Sequence, residues 1–370
     1  MAAANHGDVR GRKRSLPFSP GLLALCICCF IVTVVYLAHG RNPLAFVIVG
    51  SKFALGDPSG NVGYDGQFAY YIALDPLGAP GHLDDPPYRY QRILYPLLAR
   101  ALALGQPDLV PWALLLVNIF SISVSTGLLG RMLSRGGLNP YLALLLPLWM
   151  GQIFALRADL NEPLCFLLVI AALFWYDQHH YTLSAVALAA GVLTKEVALL
   201  FLFALLLALL LQARWWLALR YALIVLLPYV ALQVWLYLWL GGFGFVGQGA
   251  GFEWIPFYGV VASGPPAARI FLAFFFAMPI TALLMLAVFQ LRRTPRSVYA
   301  WAVLANCLFI VFLTRSSTMD VLAVFRLATG AVVAALLFCA AHHRRRLALA
   351  LHAMWLPLSI LAVMIPGFLL

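Results

Sequence analysis

The sequence predicts an all-α, polytopic integral membrane protein. Hydrophobic residues fill 64% of the 370 positions and charged residues only 10%, against roughly 25% charged in an ordinary soluble domain. Mean hydropathy is +0.94. The apolar residues are gathered in runs separated by short polar stretches. A soluble fold of this size cannot hide so much apolar surface. A water-soluble enzyme, a disordered chain and a disulfide-stapled secreted module are excluded on that ground.

Residues 1–20 are polar and basic, with Arg10, Arg12, Lys13 and Arg14. The first apolar run, 21–40, is long for a signal-peptide core and lacks a clear A-x-A site, so it reads as an uncleaved first span. Further spans are expected at about 109–130, 140–156, 161–176, 182–194, 197–212, 221–241, 270–290, 298–314, 326–341 and 347–369, about eleven transmembrane helices in all. Several fall short of the ~20 residues of a full crossing. The 182–212 stretch, interrupted by Lys195-Glu196, reads as a hairpin or one long helix. Residues 41–108 form a long first extracytoplasmic loop. In it, Gln67–Leu74 and Arg92–Leu104 read as short amphipathic helices lying in the membrane interface. A second outside loop, 242–269, is Gly-rich. No internal repeat is visible, so the chain reads as a single membrane domain of residues 1–370, with 109–370 as the remaining bundle.

With the N-terminus inside, 14 Lys/Arg fall on the inner side and 10 outside, five of these in the long 41–108 loop. Long loops count for less in setting orientation. Of the 13 acidic residues, only Asp8 and Asp177 fall inside. Carboxylates and bases from distant parts of the chain therefore gather on one membrane face. The net charge of +11 suits an anionic membrane surface and anionic ligands rather than nucleic acid. The six cysteines, Cys26, Cys28, Cys29, Cys165, Cys307 and Cys339, lack metal-ligand spacing and read as apolar packers. The pairs His179-His180 and His342-His343 read as solvated surface.

Five constellations carry potential chemistry. In Tyr64-Asp65-Gly66-Gln67, Asp65 stands just before a helix start. Its carboxylate reads as an N-cap, as a general base held at the membrane surface, or as both. In Asp84-Asp85-Pro86-Pro87-Tyr88-Arg89-Tyr90-Gln91-Arg92, the Asp pair reads as a solvated turn or a divalent-metal ligand pair. Arg89 and Arg92, three apart, fork onto a phosphate or snorkel to headgroups. Arg157, Asp159 and Glu162 lie in a tight turn between spans. Thr194-Lys195-Glu196 puts charges inside apolar sequence, which marks a functional site or an internal pair. The last is the Arg315–Arg326 loop, with Asp320.

These patterns resemble the GT-C superfamily of membrane glycosyltransferases, which includes the GPI mannosyltransferases and bacterial lipid-linked-sugar transferases. Tyr64-Asp65-Gly66-Gln67 through Tyr70-Tyr71-Ile72-Ala73 is similar to the family's first-loop segment of an aromatic, an Asp and a later Tyr. Asn161-Glu162-Pro163-Leu164 resembles its Ser/Thr-Glu-Pro-Leu turn. Gly191-Val192-Leu193-Thr194-Lys195-Glu196 resembles its Gly-Leu-x-x-Leu-Thr-Arg segment at shorter spacing. The order agrees over roughly the first 200 residues. The resemblance implies a polyprenyl-phosphate sugar as donor and a glycan, lipid or protein hydroxyl as acceptor. It implies inversion at the anomeric carbon, on the outer face of a bacterial plasma membrane. Carried onto this chain, Asp65 is the base. Arg89, Arg92, Arg157, Lys195, Arg315 and Arg326 are phosphate ligands, and Tyr64, Tyr70, Tyr71 and Trp254 stack on sugar. Gln67, Asp159, Glu162 and Glu196 complete the substrate-binding set. The family's usual adjacent acidic pair is displaced here to Asp84-Asp85, the only metal-binding candidates. Two other classes compete: a transporter or flippase for a lipid-linked or anionic substrate, and a non-catalytic GT-C-like subunit. Charges clustered at one face and the lack of a repeat count against the transporter.

Overall fold

A computed structural model describes residues 19–247, 251, 253–259, 266–318 and 321–364. The basic stretch 1–18, part of the Gly-rich loop and Asp320 lie outside them. Among the described residues all regular structure is helical.

Helix α1 (Pro20–Ala38) starts where the Leu22 amide donates to Ser19 Oγ at 3.3 Å, with Pro20 in its first turn. Both are helix-start signals. It packs along α5 (Val110–Arg135). The approach is close because Gly21 faces α5: a Cβ there would stand 2.9 Å from the Ser123 carbonyl. Small residues at a helix crossing permit such contact in membranes.

Between α1 and α5 the first loop holds α2 (Gly66–Leu74), α3 (Pro86–Tyr90) and α4 (Leu94–Leu102). The first expected amphipathic helix is present, longer by one residue. The second contracts to Leu94–Leu102, so Arg92 precedes it. Helix α3 starts at Asp85, whose carboxylate accepts from the Tyr88 amide at 3.3 Å, and Pro86 and Pro87 open it.

The segment Pro140–Leu148 and α6 (Met150–Arg157) meet at a 52° bend. Trp149 at the bend is extended, and its indole N–H donates to the Phe325 carbonyl at 2.9 Å. Next come α7 (Glu162–Asp177), α8 (Tyr181–Thr194), α9 (Leu199–Leu211) and α10 (Trp215–Leu240). They are followed by α11 (Met278–Arg293), α12 (Val298–Val311), α13 (Val321–Leu327), α14 (Thr329–Ala341) and α15 (Arg345–Met364). Helix α14 is buried from Thr329 to Ala340 and packs on α5, α7, α12 and α15. A helix apolar all round belongs in the middle of a bundle.

Among the described residues five helices are long and apolar enough to cross a membrane, and the bent pair makes up to six. This is the build of a membrane-embedded protein. The runs expected at 182–194, 197–212 and 298–314 form apolar helices of 10–17 residues, below a full crossing of ~20. The 182–212 stretch is two helices, because Lys195 is extended (φ −161°, ψ 133°) and its ammonium is drawn to Glu162. Cys28, Cys165, Cys307 and Cys339 are buried as apolar packers, while Cys26 and Cys29 are exposed on α1.

Candidate functional site

Asp65 precedes α2 with helical backbone angles, and its side chain makes no capping bond. The N-cap reading is corrected here: the carboxylate turns to two arginines instead. Asp65 Oδ1 lies 3.1 Å from Arg89 Nη1 and Oδ2 lies 2.9 Å from Arg326 Nη1. Gly66 makes the approach possible, since a Cβ there would stand 2.1 Å from the Ala158 carbonyl oxygen. The first loop thus rests directly on the turn between α6 and α7.

From Asp65 the charges run as a chain. Arg89 forks onto Asp84 with two 2.7 Å bonds and lies 4.1 Å over the Phe68 ring. Arg326 Nε stands 3.0 Å from Glu162, and the guanidinium lies 5.6 Å over Tyr64. Lys195 donates to Glu162 at 2.5 Å. Alongside, Arg92 forks onto Glu196 at 2.9 and 2.5 Å and donates to the Tyr88 hydroxyl at 2.6 Å. Arg89, Arg92, Lys195 and Arg326 are matched by Asp65, Asp84, Glu162 and Glu196, so the cluster is internally neutral. Glu162 and Lys195 are deeply buried, whereas the Asp65 side chain keeps 31% exposure. Burial pushes the Asp65 carboxyl up. Arg89, then Arg326 and Arg92, outweigh it and hold the carboxyl well below the usual carboxylate range.

Asp65 opens on a cavity of about 690 Å³. Its lining joins the charged Asp65, Asp84, Asp85, Arg89, Arg92, Lys195, Glu196 and Arg326 to the apolar Val197, Leu199, Leu200, Phe309, Leu313 and Leu327. A second cavity, about 30 Å³ and lined by Asp65, Tyr95, Asp159, Asn161 and Lys195, lies against the same cluster. It has room for a water molecule. Asp159 is fully buried there, both its carboxylate oxygens lack a hydrogen-bond partner, and its φ is +48°. Burial raises its carboxyl well above the usual range, Arg157 countering only in part.

The remaining sequence candidates divide. Tyr64 lines the large cavity. Gln67 does not: its amide donates to Val62 O at 2.7 Å and its carbonyl accepts from Gly50 N at 3.1 Å, which ties down the loop before α2. Tyr70 and Tyr71 also turn away. Tyr70 packs toward α4 and α5, and Tyr71 stacks on His82 with ring centres 4.9 Å apart. Their helical spacing from Asp65 points them to the other side of α2. Arg157 donates to the Ala45 carbonyl at 2.7 Å and lies 3.3 Å from His39, anchoring the loop after α1. Arg315 is exposed on the short helix Arg315–Thr318 and does not line the cavity. Trp254 is exposed. Asp84 is engaged by Arg89 and Asp85 by the α3 start, and no group of three or more metal-type ligands occurs among the described residues.

The structure adds residues that the sequence reading left out. Gln91 Oε1 lies 3.3 Å from the Tyr229 hydroxyl and 3.4 Å from Gln233 Nε2, and Gln233 accepts from Gly244 N at 2.8 Å. This buried network fixes the Gly244 turn at the cavity rim. Its signal was Tyr229 and Gln233, four apart on one face of an apolar helix. No family model, no curated protein and no solved structure matches the chain.

Proposed function

We propose that the protein is an inverting glycosyltransferase of GT-C type, with about eleven spans, a cytoplasmic N-terminus and its site on the outer face of a bacterial plasma membrane. It moves a sugar from a polyprenyl-phosphate donor to a hydroxyl of a glycan, lipid or protein acceptor. One observation carries the reading: a carboxylate held by two arginines faces a cavity whose walls combine ion-paired arginines and a lysine with apolar side chains. Those walls suit an amphiphile with an anionic head. Phosphate takes the arginines and prenyl chain lies along Leu199, Leu200, Phe309 and Leu313.

In the reaction the acceptor oxygen attacks the anomeric carbon as its proton passes to Asp65. The bond from that carbon to the phosphate oxygen breaks, and its electron pair leaves with the polyprenyl phosphate. The developing charge is stabilised by Arg89, Arg92, Lys195 and Arg326, cations already in place. Held by two guanidiniums, Asp65 is a weak base. A donor phosphate that takes up those N–H groups loosens that hold and makes Asp65 more basic. Donor binding and base activation are thus one event.

The test supplies purified protein with radiolabelled polyprenyl-phosphate sugars and, separately, labelled nucleotide sugars. Label moves to acceptor from the lipid-linked pool alone. Transfer from the nucleotide sugar overturns the donor assignment. Movement of intact lipid-linked sugar across vesicles without transfer supports the transporter, and an inert protein supports the non-catalytic subunit.

A further inference from the structure

A second amphiphilic site lies at the other end of the bundle. Helix α14 leads away from Arg326 for 13 residues, about 20 Å, and ends at His342-His343-Arg344. There a cavity of about 540 Å³ opens between the end of α11 and the α14–α15 turn. Its mouth carries His343, Arg344, Arg345 and Arg346; its wall carries Leu286, Phe289, Phe338 and Leu347. Leu286 and Phe289 also line an adjoining groove of about 490 Å³ along α11, apolar except for Arg292. Arg293 lies 4.3 Å over the Phe289 ring. Neither lining contains an Asp or Glu.

The geometry points to a binding site for an anionic glycerophospholipid. The phosphate sits among Arg344, Arg345 and Arg346, and an acyl chain follows the α11 groove past Leu286 and Phe289. Charge selects the head, since four arginines, Arg292, Arg344, Arg345 and Arg346, line the two cavities and no carboxylate does. Guanidiniums pair with phosphate oxygens in a forked geometry, and a zwitterionic head brings its own cation against the arginines, which an anionic head does not. Shape selects a lipid over a free phosphate: Met285 is 61% exposed and Phe289 47% exposed along a groove that an aqueous anion leaves uncovered. Basic pockets between membrane helices are the physical form such lipid recognition takes. The site is separate from the Asp65 cluster and does not depend on the proposed reaction.

The experiment measures lipid retention by native mass spectrometry on detergent-purified protein, with phosphatidylglycerol and phosphatidylcholine of matched chains. Wild type retains phosphatidylglycerol in preference. The triple variant Arg344→Gln, Arg345→Gln, Arg346→Gln loses affinity for it by about tenfold or more, as expected when charge-assisted bonds are removed. The corresponding triple Lys variant, which keeps the charge, retains the preference, and a wild-type melting temperature of the Gln variant shows that its loss is not misfolding. Glycerol phosphate at millimolar concentration does not displace the lipid. Equal retention of the two lipids, an undiminished preference in the Gln variant, or displacement by glycerol phosphate overturns the proposal.

Discussion

Asp65 and Arg326 are 261 residues apart in sequence, and their side chains meet at 2.9 Å. That contact ties the first loop to the helix that leads into the bundle centre. Arg326 also reaches Glu162, so one guanidinium joins the segments before α2, α7 and α14. A disturbance at any of the three is felt at Asp65.

The Lys195–Glu162 pair gives the first prediction. Both side chains are buried, at 3% and 2% exposure. Lys195→Met and Glu162→Gln each leave a partner's charge underpaired, which costs about 3–5 kcal/mol. The double variant, with neither charge, costs less than the sum of the two. Thermal or denaturant unfolding of the four proteins checks this, and additive losses contradict the pairing.

Acid dependence separates free from donor-bound protein. The Asp65 carboxyl is depressed in the native chain relative to the unfolded one. Its stabilising effect is therefore present above the unfolded value of about 4 and is lost as pH falls through the native one. In transfer kinetics the acid limb of kcat/KM, which reports the free enzyme, lies below the ordinary carboxylate range. The acid limb of kcat lies higher, because donor phosphate has taken over the arginines. Coincident limbs contradict base activation by the donor.

Asp159 has the opposite sign. Its native carboxyl is raised, so the native chain holds a proton that the unfolded chain releases. The stability this brings is present below about pH 4 and declines as pH rises toward the native value, by up to about 1.4 kcal/mol per pH unit. Asp159→Asn removes that slope. The difference in melting temperature between wild type and variant, followed from pH 5 to 8, shifts in favour of the variant as pH rises; a flat difference contradicts a buried, protonated Asp159.

Gly66→Ala tests the seat of the first loop. The added methyl collides with the Ala158 carbonyl, 2.1 Å away, and α2 must lift. A displacement of about 1 Å at the reacting groups costs on the order of 100-fold in rate. Transfer activity falls far more than the melting temperature does. Wild-type activity in this variant contradicts the placement of Asp65.

The charged cluster was largely legible in the sequence because charges are scarce in it. Asp65, Arg89, Arg92, Glu162, Lys195, Glu196 and Arg326 interrupt apolar surroundings, and burying them demands partners. Their pairing was not legible, since it depends on how the starts of α2 and α7 meet α3 and α13. Tyr70 and Tyr71 lie away from the cavity, because five and six residues after Asp65 along a helix their rings face the opposite side of α2. Arg157 lies off the cavity lining because it serves the carbonyl nearest to it, Ala45 O. The all-helical class followed from composition. The number of crossings did not, because apolar runs of 13 to 16 residues serve equally as short buried helices.

In the proposed reaction Asp65 takes the acceptor proton as sugar leaves a lipid phosphate. Transfer from a polyprenyl-phosphate sugar by wild type and by Asp65→Asn, at matched expression and equal melting temperature, tests it most directly. Wild type gives inverted product, and the variant loses about 100- to 10,000-fold in rate, the range for removing a general base. Transfer at the wild-type rate by Asp65→Asn contradicts it.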